Sequence, residues 1–335
     1  MNCNISSLVM MFGFILSQSI PAQDQEPGVP VKIRHFQFDY GATIVGVPEG
    51  AKLRVWVPVA SDSPFQTVRL TELTLPAQGE FNRDQTFNNK ILYFEDTKKG
   101  TGNIGFKLTY SVQRTEAKAT GIDDKSDEKD LEVFLQPNRL VPLQGRPLEL
   151  FSDYKKERLR DNSSLTDDPE RVFYDFVQHH LAYDKTKPGY GNGDVNWACD
   201  SKTGNCTDFH SLFISIARAN RYPAKFQIGF PLPTERGVGK IGGYHCWAQI
   251  YTAKNGWFPV DISEADKSPE KQNYFYGRLN ENRVNFSTGR DINLEPRQKA
   301  DPLNYFIYPH VEIDGKVYPK EKIRLLFGYR DLESK

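Results

Sequence analysis

The sequence has little cysteine, methionine or tryptophan and no surplus of charge. Four cysteines among 335 residues are too few for a disulfide-stapled scaffold. Lysine plus arginine and aspartate plus glutamate balance at 43 each, so net charge supplies no polyanion-binding surface. Nucleic acid is therefore not an expected partner. After the first twenty residues no apolar run approaches the length of a bilayer span, so no membrane-spanning segment is expected there. No acidic loop of calcium-binding spacing is present, and neither a metal nor a cofactor is expected. Internal repeats and low-complexity tracts are missing as well.

What remains is the composition of a globular chain long enough for a large core, with 38% hydrophobic and 26% charged residues. The first 22 residues stand apart. Ile5 to Ile20 is mostly apolar and is followed by Pro21-Ala22 and the polar Gln23-Asp24-Gln25-Glu26. This reads as a cleavable secretory signal (1–22), although no Lys or Arg precedes the apolar stretch, and it predicts a secreted or periplasmic protein. Cys3 leaves with the signal, so Cys199, Cys206 and Cys246 remain. Cys199 and Cys246 either pair in an oxidising compartment or serve as small buried hydrophobes.

Residues 31–136 carry alternating β-branched and aromatic runs broken by Gly, Pro, Asn and Asp clusters. Val31–Phe38, Leu53–Val59, Val68–Leu75 and Ile104–Val112 are the clearest, and they predict an antiparallel β-sandwich. Gly121–Asp130 reads as a charge-rich loop and Pro137–Pro147 as a linker, with a second domain over 148–330. That second part mixes helix and strand signals. A helix follows Asp168-Pro169, with His179 and His180 in its last turn, where a solvated cation suits the dipole. Lys185–Asn205 reads as a long glycine-rich loop holding Tyr190, Trp197 and Cys199.

The chemistry centres on Gly204–Arg218. Phe209, Leu212, Phe213, Ile216 and Ala217 recur at helical spacing and predict one buried face. Gly204-Asn205 reads as turn and cap, which puts Cys206 at the helix N-terminus, where free N–H groups and the dipole favour a thiolate. Tyr244–Tyr251 predicts a strand carrying His245, and Gly256–Ile262 a second strand carrying Asp261. Nucleophile, base and orienting acid in that order point to acyl transfer through a thioester, with the Cys206 N–H as an oxyanion donor. Thr234–Gly243, with four glycines, reads as a mobile loop and candidate lid beside His245. Beyond Asp261, Tyr274–Lys299 reads as polar and irregular, and Tyr305–Tyr308 and Val311–Ile313 as closing strands.

Three blocks, 204–226, 243–251 and 256–267, together resemble the transglutaminase-like superfamily of papain-related cysteine enzymes, in its bacterial secreted branch. The spacing agrees, with 39 residues from Cys206 to His245 and 16 more to Asp261. Arg221-Tyr222 stands where the family more often has glycine and an aliphatic residue. The resemblance implies an α+β protein, an N-terminal antiparallel β-sandwich followed by a transglutaminase-like (papain-like) α+β domain. It further implies Cys206, His245 and Asp261 as catalytic residues and a protein or peptide substrate. Trp197 and Tyr190 are candidate substrate contacts, although an indole packing its own loop is the plainer role for Trp197.

Two other readings stay open at this level. Cys199, Cys206, His210, His245 and Cys246 can be taken as zinc ligands, but no C-x₂-C or H-x₃-H pair supports that. The fold can also serve as a non-catalytic extracytoplasmic binding module. A geometric expectation bears on the acid. With a three-residue loop, 253–255, Thr252 opposes Gly256, and Asp261 falls diagonally beside His245 with φ > 0 at Asn255 or Gly256.

Overall fold

Between Phe36 and Ile44, Phe36, Phe38, Tyr40, Ala42 and Ile44 are buried and, apart from the buried Gly41, alternate with less buried neighbours, the period-2 pattern of a strand with one face inward. They belong to β1 (Ile33–Val47). The computed structural model describes residues 31–97, 102–121, 128–160 and 168–333. The leader predicted over 1–22 and most of the charge-rich loop lie outside these. Along the chain follow β2 (Lys52–Val59), β3 (Gln66–Thr74), β4 (Gly79–Arg83), β5 (Lys90–Thr97), β6 (Gly102–Thr115) and the short β7 (Ala117–Lys118). Then come α1 (Glu128–Glu132), α2 (Arg146–Arg160), α3 (Pro169–His180), β8 (Ala182–Tyr183), α4 (Val195–Ser201), β9 (Thr203–Gly204) and α5 (Cys206–Ala219). Next are β10 (Ala224–Pro231), β11 (Val238–Lys240), β12 (His245–Thr252) and β13 (Gly256–Val260). The chain ends with α6 (Ile262–Lys267), α7 (Gln272–Phe275), β14 (Arg278–Leu279), β15 (Arg283–Thr288), β16 (His310–Ile313), β17 (Lys316–Val317) and β18 (Ile323–Asp331).

Two five-stranded antiparallel sheets, β11-β18-β1-β6-β3 and β17-β16-β2-β5-β4, form the N-terminal sandwich. Phe94 of β5 meets Phe106 of β6 between them, ring centroids 5.7 Å apart. Late segments complete both sheets. Residues 234–243, expected as a mobile lid, are instead tied down. Their strand β11 pairs with β18, Gly237 N–H donates to Asp331 Oδ2 at 2.7 Å, and Ile241 N–H to Phe327 O at 3.0 Å. Gly239 is required there, because a Cβ would stand 2.9 Å from the Tyr329 ring. Of the two expected closing strands, Val311–Ile313 lies in β16, whereas Tyr305–Tyr308 is irregular.

The α+β part is a four-stranded antiparallel sheet, β13-β12-β10-β15, packed on α5. Its fourth strand, β15, lies inside the stretch expected to be irregular. There Arg-Val-Asn-Phe-Ser-Thr alternates, and Phe286 packs on Tyr40 of β1 with ring centroids 5.3 Å apart. Gly229 lets β10 and β15 shift register, since a Cβ would lie 1.8 Å from Val284 O. The glycine-rich loop also contains a helix, α4, capped by the Asp194 carboxylate on the N–H groups of Asn196 and Trp197. The linker segment is packed down, with Val141 buried and Val195 N–H donating to Leu140 O at 3.0 Å.

Candidate active site

The apolar spacing of α5 predicts one inward face. The structure buries every residue from Cys206 to Arg218. This works because each polar side chain finds a partner. Arg218 Nε donates to Ala224 O at 2.9 Å, Ser215 to Pro142 O, and Ser211 accepts from Arg290. Asp208 accepts from the N–H groups of Gly191 at 2.7 Å, Gly193 at 2.9 Å and Asn205 at 2.8 Å. Asn205 in turn accepts from Thr207 N–H at 2.8 Å, closing a capping box. Burial of Phe209, Leu212, Phe213 and Ile216 stabilises the helix by roughly 1.5–3 kcal/mol each. Cys206 is thus fixed as its first residue, 3% exposed, where backbone N–H groups lack helical partners.

His245 opens β12, whose hairpin with β13 has the register expected of a three-residue loop. Thr252 opposes Gly256, and Gly256 has φ of +61°. The strand stops at Val260, however. Asp261 is the N-cap of α6, not a strand residue, and its Oδ1 accepts from Glu264 N–H and Ser263 Oγ, each at 3.2 Å. Its Oδ2 accepts from His245 Nε2 at 2.8 Å and from Arg283 Nη1 at 2.8 Å. The cap turn, more than strand alternation, aims the carboxylate. With Nε2 committed to Asp261, Nδ1 is the nitrogen left for the neighbouring Cys206 thiol.

All three side chains are buried. Burial would push the Asp261 carboxyl up, but the charges of His245 and Arg283 hold it well below the usual carboxylate range. Burial likewise pulls His245 down, yet Asp261 and Cys206 push it up to about 10. Burial raises the Cys206 thiol, and hydrogen bonds from Cys246 and His245 outweigh it, bringing Cys206 well below an ordinary thiol. The pair therefore favours thiolate and imidazolium. Cys246 is held protonated by burial and by the neighbouring Cys206 sulfur.

His210, half a reading as a zinc ligand from sequence, has both ring nitrogens engaged by backbone. Nε2 accepts from Ile262 N–H at 3.1 Å, so Nδ1 carries the proton and donates to Cys206 O at 2.7 Å. Burial lowers its pKa, in keeping with a neutral ring. No lone pair remains for a metal. Cys199 stands elsewhere, its carbonyl taken by His180 Nε2 at 2.9 Å, so His180 is a packed residue and not a solvated helix end. Among the described residues the three cysteines are all free, and Cys246 lies 3.8 Å from Thr207 Oγ1, beside Cys206 rather than Cys199. Trp197 is half-buried against Gly189, whose Cβ would come 2.6 Å from the indole nitrogen, while Tyr190 is 40% exposed.

Sequence reasoning passed over Arg283 and assigned His210 no supporting role. Arg283 stacks 4.9 Å over the Trp247 ring while it pairs with Asp261. The alternation of 283–288 was the available signal for its strand. The tyrosine wall by the thiol was also unread. Tyr244 hydroxyl meets Thr207 Oγ1 at 3.0 Å, and its ring packs against Tyr305 and Tyr308 at 5.6 and 5.9 Å.

Residues 154–262, which hold Cys206, His210, His245 and Asp261, match the model of the transglutaminase-like superfamily. An uncharacterized protein of Haemophilus influenzae is 24% identical over 316 residues, covering 80% of this chain and 83% of its own. A solved protein of Cytophaga hutchinsonii, provisionally described as a cysteine protease, shares the fold. Its TM-score is 0.55 at 15% identity, with 91% of this chain and 94% of that one covered. The family match is thus confined to 154–262, where the chain carries a transglutaminase-like domain.

Proposed function

We propose that the protein is a cysteine acyl-transfer enzyme acting on amide bonds of a protein or peptide, with Cys206, His245 and Asp261 as its catalytic residues. The observation that carries this reading is the 2.8 Å bond from His245 Nε2 to a buried Asp261, which leaves Nδ1 for the thiol at the start of α5. Cys206 gives its proton to His245 Nδ1, and the thiolate attacks the amide carbonyl carbon. The oxyanion forms beside the helix N-terminus, where the Cys206 N–H is a donor. Collapse of the tetrahedral intermediate breaks the C–N bond, and Nδ1–H protonates the leaving nitrogen. A thioester on Cys206 remains. An amine then gives transamidation, and water gives deamidation or peptide hydrolysis, the incoming proton passing to Nδ1. Asp261 holds the ring and stabilises the imidazolium. Tyr190 and Trp197 are the proposed substrate contacts. Residues 31–136, with β11 and β16–β18 completing their sheets, act as a supporting domain beside the remaining, catalytic part of 148–330, and the leader at 1–22 directs the enzyme outside the cytoplasm.

The experiment is mass spectrometry after incubation with a glutamine-containing protein and a primary amine. Amine adducts, deamidation or cleavage each identify one branch, and any of them must vanish in Cys206→Ala. A product that persists in Cys206→Ala sinks the proposal.

A further inference from the structure

Alternation along β12 sends Cys246 toward α5 and turns Gln249 to the opposite face of the core sheet. On that face lies a cavity of about 280 Å³ lined by Arg114, Lys225, Gln227, Gln249, Trp257 and Asn285. At roughly 30 Å³ per water, it has room for a group the size of an amino-acid residue. Arg114 is only 3% exposed, and its Nε is buried with no hydrogen-bond partner among the described residues. Its pKa is brought down to about 9 by burial and then by Arg283, another cation. A buried guanidinium with no carboxylate beside it among the described residues is strongly destabilising unless something completes it. Asn285 leaves a complementary gap, since its side-chain oxygen is also buried without a partner. Lys225 lines the same wall, its ammonium 3.6 Å over the Trp257 ring.

One orphan needs an anionic acceptor and the other needs a donor. We propose that this cavity binds a small carboxylate with an N–H group next to it, as in the carboxy-terminal residue of a peptide or an N-acylated amino acid. Arg114 holds the carboxylate, and Asn285 accepts the N–H. The cavity is separate from the nucleophile. Its wall reaches the triad through Gln227, which accepts from Trp247 Nε1 at 2.8 Å with Trp247 stacked on Arg283, and through the charge that Arg114 and Arg283 feel from each other.

The test is calorimetric titration of the full chain with N-acetylglycine and with uncharged N-acetylglycinamide at one ionic strength. N-acetylglycine should bind roughly tenfold or more tightly than the amide, the scale of a charge-assisted hydrogen bond. Arg114→Gln should erase that difference. If Arg114→Gln does not fold, Gln249→Glu, which sets a like charge on the wall, should do the same. Protein alkylated at Cys206 should bind unchanged. Equal binding of the two probes, no binding of either, an unaffected folded variant, or loss of binding on alkylation would each overturn the site.

Discussion

At the scale of single residues, the account rests on a proton moved from sulfur to nitrogen before substrate arrives. Cys206→Ala should abolish turnover while shifting the melting temperature by no more than a few degrees, since it removes little packing. His245→Ala should abolish turnover and also lower the melting temperature, since it strips the buried Asp261 of a 2.8 Å partner. Activity assays beside thermal melts check this. The pH dependence follows from the signs. Cys206 lies below an ordinary thiol and His245 is raised to about 10, so the ion pair spans the neutral range. Alkylation of Cys206 should therefore be nearly flat around neutral pH, where a free thiol of pKa about 8.5 would still be rising. Turnover should fall as pH climbs through about 10, where His245 loses the proton it must give the leaving nitrogen. In His245→Ala the thiolate loses its cation, so the alkylation profile should move to higher pH. Arg283→Met leaves Asp261 short of one of its two 2.8 Å Oδ2 partners. Breaking such a buried pair costs about 3–5 kcal/mol, and denaturant titration should show it together with reduced turnover.

At the scale of elements, α5 explains both what sequence reasoning sees and what it misses. The spacing of Phe209, Leu212, Phe213 and Ile216 announces the helix, and Asn205 announces its cap. Spacing cannot announce that Asp208, His210, Ser211 and Ser215 are buried too, because their partners come from remote segments. The hairpin was legible for a local reason, the Asn255-Gly256 turn that fixes the register. Asp261 was legible in identity but not in setting, because a cap turn replaced the last strand residue. His210 is the positioning residue at this scale, joining Cys206 O on α5 to Ile262 N–H at the start of α6. His210→Ala should lower kcat while KM changes little, because the distance between thiol and acid is no longer held. His210→Gln, which can both donate and accept, should recover part of the loss. Steady-state kinetics of the two variants decides.

At the scale of the whole molecule, the chain order hides the architecture. Strands in residues 33–115 were readable from their alternation, but the sandwich they begin is finished by β11, β16 and β18 from the second half of the chain. Such long-range pairing leaves no mark in a local window. β18 hydrogen-bonds β1 along nine residue pairs. Removing residues 323–333 should therefore strip one edge of β1 and free β11, lowering stability and exposing the chain to protease near Gly237. Limited proteolysis of the truncated protein tests this. The most direct test of the central claim is peptide mapping of the acyl-enzyme after a rapid acid quench with an amide substrate. The account predicts a thioester on Cys206 alone, absent in Cys206→Ala and greatly reduced in His245→Ala. A thioester on Cys199 or Cys246, or one on Cys206 that forms equally fast without His245, would contradict it.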